Sequence, residues 1–189
     1  ATVSTTGDGT DAEIEDNINL SNAGANLTIG TSVTADGLGD IAYTTTTSGD
    51  IVLTGTTTAL ADDVVMQSAG AISGAGLVTA ADLTATAITG IGTALQAIEA
   101  TIDSTTLANN PVAGANATGV INLENTQALI VNGAAQGDVG VEATNSGNVR
   151  IVTDDGTLTI AGDVIARDGG TITLEAGAVS DLGNVMVND

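Results

Sequence analysis

The stretch GDGTDAEIEDN at residues 7–17 gathers Asp8, Asp11, Glu13, Glu15 and Asp16 into one short segment. Hard divalent cations take carboxylate oxygens, and Ca²⁺ is the ion that Asp8, Asp11, Glu13 and Asp16 would hold. The spacing matches neither an Asp-x-Asp-x-Asp-Gly loop nor a Gly-Gly-x-Gly-x-Asp roll. A solvated acidic loop at a module junction therefore competes with the metal reading. The Asp pairs at 62–63 and 154–155 are expected at turns, in water. Paired carboxylates also raise polysaccharide chemistry, by hydrolysis or by elimination. Elimination needs a base to take a proton, and the chain offers only Arg150 and Arg167. Arg150 lies between Val149 and Ile151, where strand alternation turns it outward. No enzymatic activity is expected, and no cofactor is required.

Composition narrows the field further. The net charge is −21, from 23 acids against two basic residues, so a nucleic-acid partner, which is held by Lys and Arg, is excluded. Without His or Cys no Ser–His or Cys–His nucleophile and no typical zinc site can be built. Tyr43 is the only aromatic residue. Large aromatics usually fill the core of a sandwich or α/β domain. Here Val, Ile, Leu, Ala and Thr must fill the interior, which suits a narrow core of stacked layers. The chain opens on Ala1-Thr2-Val3-Ser4 with no initiator Met or signal peptide, and reads as a mature product or a piece of something longer.

The elements are announced by a recurring phrase: Gly, a small polar residue, then apolar–x–apolar. It reads GDIAY at 39–43, GDIVL at 49–53, GDVGV at 137–141, GNVRI at 147–151 and GTITL at 170–174. Each is a short strand of alternating residues behind a turn. In GDIVL, Ile51 and Leu53 are expected inward, Asp50 and Val52 outward. A longer repeat also shows. INLSN (18–22) matches INLEN (121–125), and 39–53 matches 137–151 at an offset of 98. This divides the chain into module one, residues 1–99, and module two, residues 100–189, a partial copy. GDIVL aligns with both GNVRI and GTITL, 23 residues apart, so module two holds one extra unit of that size. A solenoid accepts a whole added coil because each coil touches only its neighbours. Coils of about 20–23 residues follow, about nine of them, in an all-β parallel β-helix. Residues 67–99 are too rich in Gly and polar residues (Asp82, Gln96, Glu99) for a membrane span. They read as further coils with small side chains inside, with a short helix over 94–100 as the competing reading.

The Gly-Asp-Ile-x-Leu phrases, the Asn turns after INL and the run AGLVTAADLTATAITGIGTALQAIEATI resemble the repeat region of filamentous-haemagglutinin-like bacterial surface proteins. The resemblance covers nearly the whole chain. It implies a right-handed parallel β-helix, exported to the cell surface or beyond, within a long adhesin or fibre.

The expected role is then a stalk or fibre shaft whose partners are copies of itself, or further modules of the same chain, placed end to end. A module binding carbohydrate, such as cell-surface glycans, and tandem immunoglobulin-like adhesin repeats are the alternatives. The Thr runs 44–47, 56–58, 157–159 and 171–173 are irregularly spaced, unlike the ladder of an ice-binding face. The sequons at Asn26 and Asn116 could carry sugars.

Overall fold

A computed structural model describes residues 3–4, 17–109, 119–132, 139–177 and 185–187. Among these there is no helix; 19 strands form one parallel sheet wound into a β-solenoid of about six turns. Three files of paired residues run up its axis. One passes through Ile18, Ile41, Val64, Leu83, Thr105 and Val131. The second passes through Leu27, Ile51, Ile72, Ile91, Ile121, Val149 and Ile172. The third passes through Val33, Thr57, Val78, Ala100, Asn125 and Thr153.

The apolar–x–apolar phrase places its residues as alternation requires. Ile51 and Leu53 are fully buried and Val52 is half-buried between them. The core is aliphatic and narrow. Tyr43 lies wholly inside it, and its hydroxyl shares a 3.0 Å hydrogen bond with that of Thr57.

The small polar residue of the phrase has a structural task that spacing alone does not reveal. Its side chain accepts a hydrogen bond from the backbone N–H one turn above. Asn17 Oδ1 accepts from Asp40 N at 2.7 Å, and Asp40 Oδ1 accepts from Asp63 N at 3.2 Å. Asn26 does the same for Asp50 at 2.9 Å, and Asp50 for Ala71 at 2.8 Å. Asn148 does it for Thr171 at 2.9 Å. Each bond satisfies a donor at a corner where the sheet ladder lapses. The preceding Gly has a steric reason. A Cβ at Gly147 would overlap the carbonyl of Gly119, and one at Gly170 would overlap the carbonyl of Gly147.

Turn length varies more than the repeat suggests. One turn takes 21 residues from Ile51 to Ile72 and 19 from Ile72 to Ile91. It then takes 30 from Ile91 to Ile121 and 28 from Ile121 to Val149. These long turns are one reason that about six turns stand where about nine were expected. At about 4.8 Å per rung, six turns span roughly 30 Å. The extra 23-residue unit is one coil, since Val149 pairs with Ile172. INLSN and INLEN, by contrast, fall in different files, Ile18 in the first and Ile121 in the second. The sheet is continuous across residues 99 and 100, which lie within strand Ile98–Asn109. No helix forms over 94–100. Thr93 N–H donates to the carbonyl of Gln96, and the Thr93 hydroxyl oxygen accepts from the N–H of Leu95 and of Gln96, making a tight turn into that strand. No helix long and apolar enough to cross a membrane is present among the described residues.

Candidate functional site

Between the third and first files every turn makes a corner. Residues 36–40, 60–63, 81–82 and 103 lie one above another there. Their place is set by the pairs Ala35–Ala59, Ala59–Ala80 and Ala80–Ile102 on one side. The pairs Ile41–Val64, Val64–Leu83 and Asp82–Ser104 set it on the other. Six of the eight acids in residues 17–109 stand on this edge: Asp36, Asp40, Asp62, Asp63, Asp82 and Asp103. Strand Thr57–Ser68 carries a register shift between Ala59 and Asp63, which brings Asp62 beside Asp63 on the rim.

Carboxylate oxygens of Asp40, Asp62 and Asp63 all lie within 4.8 Å of one another. Asp63 pairs in register with Asp82 on the next turn. Asp82 Oδ2 accepts from Asn132 Nδ2 at 3.0 Å, while its Oδ1 is buried without a hydrogen-bond partner. Desolvation, then the charges of Asp82 and Asp40, raise the Asp63 carboxyl above its ordinary range. Desolvation raises Asp62 too, aided by its hydrogen bond to Asp40 and by the charges of Asp40 and Asp63. The two basic residues are engaged elsewhere. Arg150 sits 3.5 Å from Glu124 and 3.7 Å from Glu175, and Arg167 pairs with Glu142. Glu99 is raised by desolvation and by Glu124 and Asp154, with Arg150 opposing. Chemically, the Asp40–Asp62–Asp63 group offers three hard oxygens to one divalent cation.

The residues singled out for Ca²⁺, Asp8, Asp11, Glu13 and Asp16, lie outside the described residues, as does the sequon at Asn116. Asp62 and Asp63, expected as a solvated turn, lie instead in the middle of strand Thr57–Ser68, at its register shift, and in a three-carboxylate group with Asp40. A signal for it was present: Asp40 and Asp63 immediately precede Ile41 and Val64, which pair one coil of 23 residues apart.

The Thr residues are more ordered than their spacing suggests. Thr34, Thr58, Thr79 and Thr101 pair turn on turn in one outward file. The Thr101 hydroxyl continues it with a 2.7 Å hydrogen bond to that of Thr126. A shallow groove of about 430 Å³ lies near Thr44, Gln67 and Thr86. No aromatic platform stands beside it, because the single aromatic, Tyr43, is buried.

No protein-family model, no curated protein and no solved structure matches the chain.

Proposed function

We propose that this chain is a structural segment, a stalk or fibre shaft, of an exported surface protein whose solenoid continues end to end. The observation that carries the reading is an open core. In the second file Ile51, Ile72, Ile91, Ile121 and Val149 are no more than 1% exposed, while Ile172 above them is 45% exposed. Leu174, Ala176, Val164 and Ala166 in the same turn are only partly covered. Strands Asp163–Ala166 and Ile172–Ala176 each pair with one strand, below them, and their other edge is unpaired among the described residues. Such an edge templates another strand. A further turn stacked there, from the same chain or another copy, would cover these side chains. Export and a surface location rest on the likeness to filamentous-haemagglutinin-like repeats. Binding of cell-surface glycans is the weaker reading, for want of an exposed aromatic.

The test is small-angle X-ray scattering of the chain and of a tandem chain in which residues 100–189 are repeated after Asp189. A longer rod of unchanged cross-section is expected. Scattering as two flexibly linked beads refutes the shaft.

A further inference from the structure

We propose that the acidic edge of residues 36–63 is a docking site for a basic amphipathic segment of another protein. Two leucines stand out from this edge: Leu60 is 74% exposed and Leu38 is 48% exposed, on consecutive turns of the same corner. Around them lie Asp36, Asp40, Asp62 and Asp63. Exposed leucines on the same corner as these carboxylates match a segment that carries both aliphatic side chains and Lys or Arg. A second copy of the chain cannot supply it. It has no Lys, and its two Arg are held by Glu124, Glu175 and Glu142. Ordered cations alone account for the carboxylates but leave the two leucines without a role. The corner is also rigid enough to recognise a shape, since the Asp63 N–H is bonded to Asp40 Oδ1 and the flanking residues Val64 and Ile41 are buried.

The probe is a fluorescein-labelled peptide of alternating Lys and Leu, compared with one of alternating Lys and Gly at equal charge. Binding is read by anisotropy in EDTA. The Lys–Leu peptide is expected to bind at least about tenfold tighter, because two leucine side chains leave water. A Leu38→Ser/Leu60→Ser variant should bring both peptides to the same affinity. An Asp62→Asn/Asp63→Asn variant should weaken both by about threefold or more, and more at low salt. The leucine variant alters exposed positions, and an unchanged far-ultraviolet spectrum with a melting temperature no lower than that of the unaltered chain verifies the fold of both variants. Equal binding of the two peptides by the unaltered chain marks a polyelectrolyte effect and overturns the proposal. So does full retention of the Lys–Leu preference in the leucine variant. Neither outcome bears on the shaft reading, which scattering tests separately.

Discussion

Substituting Asp63 by Asn separates electrostatic cost from structural need on the acidic edge. The Asp63 side chain accepts no hydrogen bond among the described residues, and its backbone N–H bond to Asp40 survives the change. What Asn removes is a negative charge directly beneath Asp82 and beside Asp40. Like charges facing each other across paired strands cost about 0.2–1 kcal/mol per pair. Asp63 is exposed, so screening keeps each contact in the lower part of that range. Relief of two contacts then gives about 0.4–1 kcal/mol. For a chain of this size that is a rise of roughly 1–4 °C in melting temperature. The pH dependence has a definite sign. The folded-state carboxyls of Asp62 and Asp63 are raised, so the folded chain binds their protons more readily than the unfolded chain does. Their penalty is full above the folded pKa and is relieved as pH falls through it toward the ordinary Asp range. Asp63→Asn should therefore stabilise at pH 7.5 and do nothing near pH 3. The assay is thermal melting by circular dichroism in EDTA, at low salt and at 0.5 M NaCl, with the gain shrinking in salt. Millimolar Ca²⁺ should raise the melting temperature of the unaltered chain and raise that of the variant less, since one of the three carboxylates loses its charge. A variant that melts at or below the unaltered chain at pH 7.5 in EDTA refutes the repulsion argument.

Gly147→Ala should cost about 2 kcal/mol or more, because its Cβ meets the backbone carbonyl of Gly119; Gly30→Ala, with open space around it, should change the urea midpoint little. Tyr43 is pushed up to about 12 by burial, so its absorbance at 295 nm should not change until the pH nears that value, or until the chain unfolds. Unfolded Tyr titrates near 10, so stability should fall as pH rises from about 10 toward 12. Tyr43→Phe strands the Thr57 hydroxyl, itself 1% exposed, and should lower stability by about 1–2 kcal/mol in denaturant melts.

The fold was legible in the sequence because its determinants are local. Alternation in GDIVL sets Ile51 and Leu53 inward, and the turn residues ahead of each phrase mark where a strand begins. The 23-residue duplication in module two could only be a coil, and Val149 sits beneath Ile172 accordingly. The scarcity of aromatics also told truly of a narrow aliphatic core. Register was not legible, because it depends on how many residues each corner consumes. Turns of 19 to 30 residues cannot be phased from a degenerate repeat. So Thr34, Thr58, Thr79 and Thr101, which look scattered in the chain, become one file. INLSN and INLEN, which look equivalent, take different faces. Asp40, Asp62, Asp63 and Asp82 are unremarkable as separate letters. Only the winding of the chain, which sets one turn directly on the next, brings four carboxylates to one edge.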